Sequence, residues 1–126
     1  MERKASENLV AAELLLTGEP STNAATARAY YAAHHAAWSA LVEAGNPVPD
    51  GPRGRYFSHQ GLPAEVLRRG LLDEDAWDDL DWLQGRRVVA DYYEDDIGLD
   101  EARQCLAIAR TLVERLLEAD EGGMPT

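Results

Sequence analysis

Arg87 and Asp91 stand four residues apart in the stretch "GRRVVADYYEDD", residues 85–96, and Tyr92 follows the aspartate directly. On a helix this spacing places the cation and the carboxylate on one face, one turn apart. Leu80, Leu83 and Gln84 extend the same side, so part of the pair is expected to be buried at the wall of a helical core. Burying an ion pair costs desolvation free energy. It is kept either as a structural ion pair or because a guanidinium beside Asp and Tyr holds a phosphate or fixes the register of a dimer. Arg86 and Tyr93, seven residues apart, share the adjoining side.

A second constellation lies in "ARAYYAAHHAAWSALV", residues 27–42. Tyr31, His35, Trp38 and Val42 recur at spacings of four, three and four and share a helical face, with Arg28 one turn upstream of Tyr31. Tyr30, His34, Ala37 and Leu41 form a second stripe beside the first. Imidazole changes charge near neutral pH, so His35 is either a core histidine hydrogen-bonded to a buried tyrosine or backbone group, or a ligand or proton-transfer residue. His34, His35 and His59 lack the spacing of a zinc site, and no Glu-x-x-His pair suggests a di-iron bundle. No metal or cofactor is expected. "GPRG" lies between prolines and opens no strand-to-helix turn, so it is not a phosphate loop, and "DEDAWDDLD" lacks the glycine and terminal glutamate of a calcium loop. Cys105, the single cysteine, is flanked by apolar helix residues and reads as a small core residue.

The elements that must carry these residues are helical almost throughout, because apolar residues recur at helical spacing and no stretch alternates like a strand. A first helix is expected over residues 2–18, with Leu9, Ala12, Leu16 and neighbouring Val10 and Leu14 inward and Gly18 as its stop. Ser21 or Thr22 caps a second, residues 23–44, which ends at Gly45. Residues 45–55 hold three prolines and three glycines and must form the longest loop. A short helix over 62–69 closes at Gly70, and Asp73 caps another that runs to about residue 95. The last helix, 100–120, presents Ala102, Leu106, Ala109, Val113 and Leu116 on one face, with Ile108 and Leu112 beside them. Trp77 is expected in the core and Trp82 toward a partner. The architecture implied is all-α: an antiparallel four-helix up-and-down bundle with an additional short helix, one domain over residues 1–121, and a disordered tail at 122–126.

With 126 residues the chain can bury a core without metals or disulfides. No apolar run approaches the length of a membrane span and no signal-peptide core follows the N-terminus, so a cytoplasmic protein with no membrane partner is expected. The 12 basic against 23 acidic residues, a net charge of -11, oppose broad attraction to nucleic acid or anionic lipid. The charge is nevertheless uneven: twelve acids against Arg86 and Arg87 in residues 73–101, and Arg53, Arg55, Arg68 and Arg69 against Glu65 alone in 53–69.

In order and separation, "ARAYYAAHHAAWSALVEAG", "SHQGL", "RRVVADYY" and "EARQCLAIARTLVERL" together resemble the HEPN (higher eukaryotes and prokaryotes nucleotide-binding) family. The likeness is to its small prokaryotic branch with Ala-Tyr-Tyr-Ala and Arg-x-x-Ala-Asp-Tyr signatures, and covers about residues 5–118. It places the signature tyrosines on Tyr30 and Tyr31, the histidines on His35 and His59, and the second signature on Arg87, Ala90, Asp91 and Tyr92. The resemblance implies a homodimer meeting through the second and fourth long helices, and a groove with Arg28, Tyr31, His35, His59, Arg87, Asp91 and Tyr92 that binds a nucleotide, an RNA or a nucleotidyltransferase partner. It implies a toxin-antitoxin or defence setting. Nuclease members pair an Arg with a His four to six residues on; here Asp91 stands five after Arg86, where that His is required. Ala27 and His34 also depart from the family pattern of Asn and an aromatic. A metal-independent endoribonuclease would therefore draw on His35, Arg86, Arg87 and Asp91 as catalytic candidates. A structural domain whose acidic helix docks a basic protein is the third reading.

Overall fold

The computed structural model describes residues 1–51 and 54–122. It is all-α: α1 (Glu2–Leu15), α2 (Thr22–Glu43), the short α3 (Gly61–Arg68), α4 (Glu74–Tyr92) and α5 (Leu99–Gly122). Between α2 and α3 lies one pair of two-residue strands, β1 (Asp50–Gly51) and β2 (Gly54–Arg55), with Asp50 opposite Arg55 and Gly51 opposite Gly54. The sequence shows no strand there because two residues are too few to display alternation.

Asp73 caps α4 as expected, its side chain accepting the amide of Ala76 at 2.8 Å, with Glu74 and Asp75 complementing the helix dipole in the first turn. Ser21 occupies the N-cap position of α2 without a side-chain hydrogen bond. Gly45, with φ of 87°, takes the left-handed conformation that ends α2, and the backbone and side-chain amides of Asn46 both donate to the Leu41 carbonyl.

The long helices run antiparallel in sequence. Asn8 of α1 meets Arg28 of α2. Asp73, before α4, meets Arg115 late in α5, whereas Arg86, late in α4, meets Glu101 at the start of α5. Central among them, α2 touches every other helix and packs most extensively on α5 and α1. Its alanines make this possible: Ala29, Ala32, Ala33, Ala36, Ala37 and Ala40 are all buried, so neighbouring backbones close in without large side chains between them. Leu41, Leu62, Leu80, Leu83, Leu112 and Leu116 fill the remaining core. Cys105 belongs to it too, fully buried; burial, reinforced by Glu101, pushes its thiol up to about 11.

Three sequence expectations are corrected. Val10 and Leu14 do not face inward: they are 55% and 65% exposed. The buried stripe of α1 is Ala5, Leu9 and Ala12, continued by half-buried Leu16, and Val10 and Leu14 lie one residue round the helix from it. Trp82, expected toward a partner, packs against the core, while half-buried Trp77 lines an open groove. In the final helix, Leu106 and Ile108 are only partly buried. The backbone of α5 continues through Gly122, where a tail was expected, while residues 123–126 and Arg53 of the basic cluster lie outside the described residues. Arg68 and Arg69 of that cluster are both engaged by Glu65, at 2.8 and 4.0 Å.

Two substitutions probe this packing. Ala33→Leu overfills the α2 seam and is expected to lower stability by about 1–3 kcal/mol. Gly85, exposed within α4 and with nothing within 4 Å of an added Cβ, is expected on mutation to Ala to raise it by about 1 kcal/mol. Thermal melts check both, with shifts of opposite sign.

Candidate functional site

Arg87 is the one arginine buried among the described residues, 7% exposed near the end of α4. The helix places it on the Leu80 and Leu83 face, so its side chain must cross the wall of the bundle toward α2. There the guanidinium lies over two aromatic rings, 5.3 Å from the centre of Tyr30 and 5.9 Å from that of Tyr31. Cation–π attraction of this kind is stronger away from water. Its carboxylate partner, Asp91, is exposed and approaches only to 3.5 Å, and the Arg87 Nε has no partner. The charge is thus held on aromatic faces with donor capacity unspent.

Tyr30 connects this cation to two histidines. Its hydroxyl is 2.6 Å from His59 Nδ1 and 3.5 Å from His34 Nδ1, and the His34 and His59 rings are 4.9 Å apart. Burial holds the Tyr30 hydroxyl well above the usual tyrosine range, with Arg87 opposing, so the group keeps its proton. The shorter of the two contacts, at 2.6 Å, couples the Tyr30 hydroxyl to His59 Nδ1 and the longer to His34 Nδ1. Burial, then His59, His35 and Arg87, lower His34 to about 3. His59, half-buried, is also lowered, first by burial and then by Arg87. Both rings are therefore neutral at pH 7, and Arg87 is the fixed positive charge of the cluster.

The structure brings Tyr31, His59, Arg87 and Asp91 together with Tyr30 and His34, which the sequence did not single out as site residues. The others stand elsewhere. His35 is turned one residue round α2: its ring stacks on Tyr31 at 6.2 Å, burial lowers its pKa first, and the charges next in effect are Lys4 and the N-terminus rather than Arg87. The histidine that meets Arg87 on α2 is thus His34, and His35 Nδ1 remains without a partner. Arg28 is exposed and donates to Asn8 at 3.3 Å. Arg86 turns to Glu101 of α5 at 2.9 Å, away from the aromatic cluster. Tyr92 is 75% exposed. The missed pair had a sequence signal: Tyr30 and His34 lie one turn apart on a stripe that continues into Ala37 and Leu41, both small or apolar enough for a core.

Among the described residues, no three His, Cys, Asp or Glu side chains form a group able to hold a metal ion, and no helix is long and apolar enough to cross a membrane. What remains is an all-helical bundle with a cation, two neutral imidazoles and a phenol at the α2–α4 seam. The HEPN domain profile matches residues 2–119, and the chain belongs to the HEPN domain family. No curated protein matches it.

The depressed histidines tie stability to pH. Above about pH 6.5 His34 is neutral whether folded or unfolded; below it, the unfolded chain takes up a proton that the native ring refuses until about pH 3. Stability is expected to fall as pH drops from 7 to 5, read as the urea midpoint. His34→Phe should flatten that fall relative to the parent, whereas an unchanged slope would remove His34 from its cause.

Proposed function

We propose that this HEPN module binds a phosphate-bearing ligand, a nucleotide or an RNA end, through Arg87, with His59 as a second donor. The observation that carries this reading is the half-satisfied guanidinium of Arg87: buried, stacked on Tyr30 and Tyr31, and offered only one exposed carboxylate at 3.5 Å. Removing a guanidinium from water without a close counter-ion is costly, and a phosphate is the anion whose geometry its forked donors match. His59, held by the Tyr30 hydroxyl at 2.6 Å and kept neutral by burial and Arg87, supplies an imidazole beside it. The overall charge of -11 repels nucleic acid at large, so recognition falls to this one position rather than to a broad basic face.

The module acts as a homodimer in this reading. Tyr92 and Tyr93, 75% and 65% exposed at the end of α4, offer aromatic surface next to Asp91 for a second copy. The setting is toxin-antitoxin or defence, with a nucleotidyltransferase as protein partner, as the family membership suggests.

A second reading, a metal-independent endoribonuclease, rests on His59 rather than His35. Half-buried, neutral and within the field of Arg87, His59 combines a proton acceptor or donor with a cation for a developing phosphorane.

Binding of a labelled oligoribonucleotide and of mononucleotides at fixed salt tests the first reading. Arg87→Ala is expected to weaken binding at least about tenfold, the loss of one or two charge-assisted hydrogen bonds, with Arg87→Lys intermediate. Unchanged affinity in Arg87→Ala would overturn it. RNA cleavage in the presence of a chelator, abolished by His59→Ala, would replace it by the second reading.

A further inference from the structure

Between the start of α3 and one side of α4 lies an open groove of about 500 Å³. Gln60 and Pro63 line it from the α3 end, and Trp77, Asp81, Gln84 and Val88, at successive spacings of four, three and four, line it from α4. None of Arg87, Tyr30, Tyr31 and His59 lines it, so it is a feature apart from the aromatic cluster. Trp77 and Tyr93, the first and last lining residues of this stretch, are sixteen positions apart, about 24 Å along the axis at ~1.5 Å per residue. That is the span of about seven residues of extended chain at ~3.3 Å each. A long, open trough suits a strand of peptide better than a compact small molecule.

Its chemistry changes along its length. Asp81 is the one charged residue lining it, and the two cations nearest in sequence are held elsewhere, Arg86 by Glu101 and Arg87 over the tyrosine rings. Asp78, exposed one turn before Asp81, adds a second carboxylate on that side. The Trp77 indole N–H is a buried donor with no acceptor among the described residues, and a backbone carbonyl would meet it. In the middle, the carboxamides of Gln60 and Gln84 both donate and accept, as a peptide backbone requires. The far end, with Val88, Val89 and the Tyr93 ring, is apolar.

We infer that this groove docks an extended, basic segment of a partner protein, with an arginine over Trp77 and against Asp81 and an apolar side chain three positions further on over Val88. The spacing comes from the helix: Asp81 and Val88 are about 10 Å apart along the axis, which three residues of extended chain cover. Arginine is favoured over lysine because a guanidinium stacks on an indole face while its fork reaches a carboxylate. A second copy of this chain is a poorer occupant, since its net charge of -11 meets the same carboxylates with repulsion. Nothing in this inference depends on phosphate recognition at Arg87.

Fluorescence anisotropy of a labelled heptapeptide, Ser-Arg-Ser-Ser-Leu-Ser-Ser, titrated with the full chain tests it. Saturable binding is expected, weakened several-fold when the peptide arginine is replaced by lysine and lost when it is replaced by glutamate. Asp81→Asn should weaken the arginine peptide by up to about fivefold, the range of one exposed ion pair. Asp81→Arg should reverse the preference, so that the glutamate peptide binds more tightly than the arginine one. Gly85→Leu, whose added Cβ meets nothing within 4 Å, fills the trough and should abolish peptide binding while the thermal melt shows an intact fold. Oligoribonucleotide affinity should be the same in Gly85→Leu as in the parent chain, which keeps failure of the groove distinct from failure at Arg87. No binding of the arginine peptide to the parent chain, or equal binding by Gly85→Leu, overturns the inference. Dissociation of a chain dimer by Gly85→Leu in sedimentation, with the peptide unbound, would overturn it too and assign the groove to a second copy.

Discussion

The placement of one guanidinium governs this structure. Arg87 must pass through the wall of a helical bundle, and a charge there is tolerated only if its surroundings replace water. Tyr30 and Tyr31 do so with their ring faces, at 5.3 and 5.9 Å, rather than with a close carboxylate. Those distances require α4 to lie near α2, and α2 permits this by lining its packed faces with alanine. Larger residues at Ala33, Ala36 or Ala37 would hold the helices apart and separate the cation from the rings that solvate it.

From that contact the protonation pattern follows. The positive charge of Arg87 and the loss of water act in the same direction on His34 and His59, and both rings stay neutral. On Tyr30 they oppose one another, and burial wins. The hydroxyl keeps its proton and sits 2.6 Å from His59 Nδ1, a hydrogen bond that orients that ring. A cluster built this way has positive charge but little internal counter-charge, the electrostatic condition for receiving an anion. The chain as a whole is strongly acidic, with a net charge of -11.

The opposite sides of α4 divide the labour. Its inner face carries Leu80, Leu83 and Arg87 into the bundle. Arg86, one residue before it, turns to Glu101 and ties α4 to the start of α5, where Asn23 also accepts the Ile97 amide and donates to Asp96. These ties fix the rotation and end of α4 and so the position at which Arg87 meets the tyrosines. Its outer flank keeps an open groove, with Gly85 in the middle where any residue but proline would favour the helix more.

Periodicity alone was enough to read the helices, because burying an apolar stripe every 3.6 residues is a local pattern that needs no knowledge of the partner. The Asp73 cap, the Gly45 stop and the core role of Cys105 were legible for the same reason: each depends on residues within a turn or two. Which of two adjacent histidines meets Arg87 was not legible, since His34 and His35 differ by about 100° of helix rotation and only the packing of α4 on α2 chooses between them. The burial of Val10 and Leu14 failed likewise, because α1 has apolar residues on more of its circumference than its neighbours can cover. His59 joined the cluster across 29 positions of chain, through a loop whose path no local rule sets. Composition and spacing determined a helical bundle with a cation and histidines to spare; tertiary contact decided which of them share a site, because side-chain direction on a helix acquires meaning only against the surface it meets.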